Sequence, residues 1–94
     1  RLASGKWFNG GQTCIAPDYV LIDAGRRDAL VAALREQVHA RYGADMRDAP
    51  HFTRVINEGQ YRRLRAHLDD ARARGLQVIA LAEVDEARAE AEHL

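Results

Sequence analysis

Internal disulfide chemistry is excluded at the outset, because the 94 residues contain a single cysteine, Cys14. No secretory leader or membrane-length apolar run accompanies it, so the expected setting is reducing and cytoplasmic, with Cys14 a free thiol. Charge of one sign is missing too: 14 Lys and Arg balance 14 Asp and Glu. No field from the whole molecule therefore draws it to nucleic acid, an anionic membrane or an acidic partner, and any charged function must be local. Proline is scarce, and its two positions, Pro17 and Pro50, mark breaks rather than a proline-rich linker. There is no internal repeat or low-complexity segment. A chain of this length buries only roughly 60 to 65% of its unfolded surface, so its core is modest.

What is present is a sequence of alternating patterns. Arg1 to Phe8 reads as a helix already under way, without an N-cap or first-turn acids, which gives the expectation of a piece cut from a longer protein. Gly10-Gly11 ends it, and a loop runs to Pro17. Tyr19 to Ile22 is β-branched, aromatic and continuously apolar, the pattern of a strand buried on both faces in a parallel sheet. Leu30, Leu34, Val38 and Tyr42, joined by Val31, recur on one face and predict a helix near Arg26 to Tyr42, stopped by Gly43. Ala44 to Pro50 is a polar connection leading into Phe52, Val55 and Ile56. Asn57 with Gln60 three residues on forms a capping-box pattern, and Tyr61, Leu64, Leu68 and Ala71 predict a helix near Glu58 to Arg74, closed by Gly75. Gln77 to Leu81 reads as a second strand. The expected fold class is thus α/β: helix, cysteine loop, strand, helix, helix, strand, over residues 1–81. Residues 82–94 are acidic and alanine-rich and form a tail without an assigned structure, with little reason to pack.

The residue types that carry chemistry converge on one place. A thiol on a loop between a glycine-terminated helix and a buried strand is a plausible mount for a nucleophile, because a rigid scaffold presents the side chain and leaves its backbone N–H open. Taken alone, a single cysteine is more often a small buried hydrophobe. His39, His51, His67 and His93 have no metal-site spacing among themselves or to Cys14, so no metal is expected. The arginines Arg62, Arg63, Arg65, Arg72 and Arg74 share their helix with Glu58, Asp69 and Asp70 and lack interleaved aromatics, the pattern of a solvated face rather than a nucleic-acid surface. Gly10-Gly11 is too short for a phosphate-cradling loop.

The run Asn9-Gly10-Gly11-Gln12-Thr13-Cys14-Ile15-Ala16-Pro17-Asp18-Tyr19-Val20-Leu21 resembles the active-site signature of the NAD(P)-dependent aldehyde dehydrogenase family, in the form found in its class 3 and coniferyl aldehyde dehydrogenase branch. Arg41-Tyr42-Gly43 and Phe52-Thr53-Arg54-Val55-Ile56-Asn57 resemble the segment that follows in the same branch. The resemblance runs from the first residues to about Leu81. It implies that Cys14 is the catalytic nucleophile, adding to an aldehyde carbonyl to form a thiohemiacetal that passes hydride to the cofactor, after which water hydrolyses the thioester to the acid. It also implies that the backbone N–H of Cys14 is an oxyanion donor. Phe8, Thr13 and Ile15 would line the aldehyde pocket; core packing is the competing role for all three.

Other parts of the family's machinery have no counterpart here. Its general-base glutamate, its oxyanion-hole asparagine and its dinucleotide-binding domain precede the cysteine segment, and its Glu-x-Phe-Gly-Pro cofactor motif follows it. Asn9 at a helix end is not the missing asparagine, and Glu36 and Glu58, on helices remote in sequence, do not replace the base. The expectations are therefore that NAD or NADP serves the parent enzyme and that neither binds this fragment alone, which is inactive by itself. The expected partners are an aldehyde substrate and the rest of the enzyme chain, with a homo-oligomer open. The competing reading is a small helical interaction module in which Cys14 is inert.

Overall fold

A computed structural model of the chain describes residues 1–83 and 85–92. Two compact units emerge, residues 1–53 with 81–83, and residues 54–80 with 85–92.

The first unit opens with helix α1, Leu2–Trp7, which no side chain caps and which passes into a tighter turn over Phe8–Gly11. There the backbone runs left-handed for three residues in succession, Asn9 at φ 52°, Gly10 at 61° and Gly11 at 77°. Asparagine tolerates this region better than most residues and glycine adopts it freely. The second helix, α2, spans Arg27–Tyr42. A short turn at Ala24–Arg26 leads into it, in which the Asp23 carboxylate accepts from the Gly25 N–H at 2.8 Å. The four-residue stripe does what its spacing requires: Val38 is wholly buried, and Leu30, Val31, Leu34 and Tyr42 are half-buried. α1 and α2 pack together, with Ala3 buried on the α1 side. Gly43 ends α2 at φ 80°.

The second unit is organised by α3, Glu58–Ala73. Asn57 caps it by accepting from the Gln60 N–H at 2.9 Å. The capping box is only half made, because the Gln60 side chain accepts from Arg63 Nε at 2.9 Å. At the other end Gly75 stands at φ 74° and its N–H bonds the Arg72 carbonyl at 2.9 Å, while the Leu76 N–H reaches the Ala71 carbonyl at 3.0 Å. This pair of bonds is a Schellman closure, which satisfies two of the carbonyls a helix end leaves open. Within the segment left unassigned above, Glu86–Glu92 form α4, with the Arg88 N–H bonded to the Asp85 carboxylate at 3.2 Å and Ala89 buried. Val84, His93 and Leu94 lie outside the described residues.

The α/β expectation is corrected: among the described residues the chain is helical and contains no strand. Tyr19 to Ile22 and Gln77 to Leu81 are irregular. The apolar pattern of the first run suits a strand covered on both faces, yet here Tyr19 is 77% and Leu21 89% exposed. A strand is defined by its neighbours. An apolar run has only half of what it needs until a second run supplies hydrogen-bond partners on its edge and further elements cover its faces. The helices, whose hydrogen bonds are internal, form where their patterns place them.

Candidate active site

Cys14 sits in a tight turn closed by a hydrogen bond from the Ala16 N–H to the Thr13 carbonyl at 3.1 Å. Cys14 and Ile15 occupy the two central positions, the thiol is free and exposed, and Ile15 is 89% exposed. Among the described residues the Cys14 backbone N–H makes no hydrogen bond.

The entry to this turn is fastened by backbone. The Gln12 N–H and side-chain Nε2 both donate to the Asn9 carbonyl at 3.1 Å, and Asn9 Nδ2 donates back to the Gln12 carbonyl at 3.4 Å. Close approach from two sides then seats the glycines. A Cβ at Gly10 would stand 2.5 Å from the Thr53 carbonyl oxygen, and one at Gly11 would stand 3.1 Å from the Lys6 carbonyl oxygen. The first distance is one that real Cβ atoms do not show, so position 10 admits no side chain while Thr53 stays where it is. On the exit side Pro17 lies against Gly5 of α1.

The residues named from sequence fall into two groups. Thr13, Cys14 and Ile15 share one turn, whereas Phe8 stands at the end of α1, 69% exposed. The apolar groove of about 160 Å³ in this unit is lined instead by Leu2, Trp7, Pro17, Tyr19, Val20 and Leu34, with Lys6 and Asp18 at its polar edge. Reading by motif also passed over a ring cluster at the end of α2. Tyr42 stacks on His51 at 5.4 Å between centroids and meets Phe52 edge-on at 5.1 Å. Three rings around a single proline were the available signal, but nothing in the pattern says that they meet.

The remaining candidates behave as solvated surface. On α3, Arg62 pairs with Glu58, Arg72 with Asp69 at 3.3 Å and Arg74 with Asp70 at 2.8 Å, all exposed. Among the described residues no three of His, Cys, Asp and Glu converge, and no helix is long and apolar enough to cross a membrane. A dinucleotide does not fit the described residues. Both long helices open on an acid, Asp28 in α2 and Glu58 in α3, which opposes a phosphate at the positive end of the helix dipole.

Comparison with known proteins supplies the family. The family model described as the aldehyde dehydrogenase family matches residues 1–93, and the chain belongs to that family. It is 44% identical over 81 residues to a "Probable coniferyl aldehyde dehydrogenase" of Pseudomonas aeruginosa, covering 86% of this chain and 17% of that protein. It is 44% identical over 68 residues to aldehyde dehydrogenase family 3 member B1 of Homo sapiens, covering 72% of this chain and 14% of that protein. A "Probable coniferyl aldehyde dehydrogenase" of Caulobacter vibrioides is 38% identical over 93 residues, 99% of this chain and 19% of its own length. The chain thus spans less than a fifth of the length of these curated relatives. The class 3-like resemblance read from the cysteine segment agrees with these matches. No solved structure matches the chain.

Proposed function

We propose that this chain is the nucleophile-bearing segment of an enzyme that oxidises an aldehyde to a carboxylic acid. The observation that carries the reading is the exposed thiol of Cys14 at the corner of a backbone-fastened turn, in a chain of the aldehyde dehydrogenase family. Sulfur is intrinsically nucleophilic enough to begin the reaction. The thiolate sulfur of Cys14 attacks the carbonyl carbon, the carbon–oxygen π pair moves onto oxygen, and the open N–H of Cys14 donates to that oxyanion.

Phe8, Thr13 and Ile15 are the aldehyde-lining candidates on this chain. The high exposure of Phe8 and Ile15 suits walls that a further part of the enzyme completes, since an aldehyde site must exclude water to strengthen the dipoles around the oxyanion. NAD or NADP, held by other parts of the complete enzyme, would supply the hydride acceptor. The base that activates the hydrolytic water is likewise supplied from elsewhere. The 94-residue chain alone is inactive and binds neither dinucleotide; a micromolar dissociation constant in calorimetric titration would contradict this. A reducing, cytoplasmic location keeps Cys14 available as a thiol.

The test is labelling of the complete enzyme that carries this sequence. Iodoacetamide should modify Cys14 in the native protein, an aldehyde analogue should protect it, and both should track loss of activity. A Cys14 that stays unlabelled until the protein unfolds would reduce the thiol to a packing residue, as in an interaction module with an inert cysteine.

A further inference from the structure

The chain returns from α2 to the cysteine turn through a chain of fixed contacts. After Gly43 it folds back through short turns, in which the Ala49 N–H donates to the Met46 carbonyl at 3.2 Å and the Phe52 N–H to the Ala49 carbonyl at 3.1 Å. His51 is then held twice. Its ring stacks on Tyr42, the last residue of α2, with planes 28° apart, and its Nε2 lies 3.0 Å from the Arg41 carbonyl oxygen. A carbonyl can only accept, so Nε2 carries the proton and donates. Phe52 meets the same Tyr42 ring at 73°, edge to face. The next residue, Thr53, is the one whose carbonyl oxygen faces Gly10.

From this we infer that the Tyr42, His51 and Phe52 rings are positioning residues for Cys14. They set the Thr53 carbonyl as a stop, Gly10 seats against it, and the turn over residues 13–16 that follows is thereby aimed. The inference rests on the reading of Cys14 as the nucleophile. Three consecutive left-handed residues have several alternative conformations of similar energy, particularly at the two glycines, so the turn needs an external reference. α2 provides one: it is 16 residues long, with Val38 wholly buried. None of the rings touches the reacting atoms, and their effect passes through the Thr53 carbonyl alone. Misplacing a nucleophile by about 1 Å can lower a rate by about 100-fold without altering substrate binding.

The experiment uses the complete enzyme, measuring kcat, KM for aldehyde, dinucleotide affinity and the rate of Cys14 alkylation. Gly10→Ala should lower kcat by roughly 10- to 100-fold while KM and dinucleotide affinity stay within about twofold. His51→Ala, at an exposed side chain, should act in the same direction by roughly 3- to 10-fold. The Gly10→Ala/His51→Ala double variant should be less than additive because both changes act on one contact. A kcat and alkylation rate within about twofold of wild type in Gly10→Ala, or a fully additive double variant, overturns the inference. Should Gly10→Ala fail to fold, an unchanged kcat in His51→Ala overturns it. A Cys14→Ser enzyme that still turns over would sink the nucleophile reading itself, whereas an inactive Cys14→Ser beside a normal Gly10→Ala and His51→Ala sinks only the positioning role.

Discussion

Between Asn9 and Ala16 the chain is held by its own backbone hydrogen bonds and by glycines pressed against carbonyl oxygens, whereas Glu58–Ala73 is laced by exposed side-chain pairs three and four residues apart. The first arrangement is specific and brittle. Each contact has a single geometry, and a methyl group added at Gly10 has nowhere to go. The second is redundant, since the helix keeps its internal hydrogen bonds whichever pair is removed and each pair is weakened by water and salt. Chemistry in an aldehyde dehydrogenase needs an atom in one place, which the brittle kind of structure provides; a solvent-facing helix needs only to persist.

The contrast can be broken most sharply at Cys14 itself. In the complete enzyme Cys14→Ser should reduce turnover by roughly 1,000-fold or more, because a hydroxyl is a far weaker nucleophile than a thiolate. Its thermal unfolding and dinucleotide binding should match the wild type, as the side chain is exposed. Retained turnover, or a large loss of stability, would place the residue in the wrong category.

Gly10→Ala should be next in size, read as stability instead of rate. The left-handed φ of 61° and the Thr53 carbonyl oxygen both oppose a side chain there. A loss of about 2 kcal/mol or more in denaturant unfolding is expected. A neutral effect would show that the turn can re-form around the methyl group, and the brittle side of the comparison would fail.

On the redundant side, Asn57→Ala removes the acceptor for the Gln60 N–H and should lower the opening free energy of the first turn of α3 by about 1 kcal/mol, measured by amide hydrogen exchange. The smallest effect should come from Arg62→Ala, which removes an exposed pair with Glu58. A change below about 0.5 kcal/mol, vanishing in high salt, is expected. A loss as large as that of Asn57→Ala would mean that α3 depends on its ion pairs after all.

Helices were the legible part of this chain. The stripe ending at Tyr42, the Asn57 cap and the Gly43 and Gly75 stops each act within a few residues of the helix they shape, and each is satisfied by bonds inside its own segment. The apolar runs at Tyr19 to Ile22 and Gln77 to Leu81 carried a strand pattern without a strand, because sheet pairing is a property of two segments and a pattern reports on one. Glu86–Glu92 ran the other way: it lacks an apolar stripe, but its alanines and glutamates favour a helix intrinsically.

At the candidate site the division is similar. The order of residues by itself determined that one thiol exists, that glycines flank its approach and that its setting resembles a dehydrogenase nucleophile, since those facts are carried by residue identity and adjacency. Only the tertiary structure decided that Cys14 sits at an exposed turn corner with an open N–H, that position 10 must be glycine because of the carbonyl of Thr53, and that Tyr42, His51 and Phe52 meet. Those are distances between residues far apart along the chain. A one-dimensional pattern has no term for them until the helices have packed.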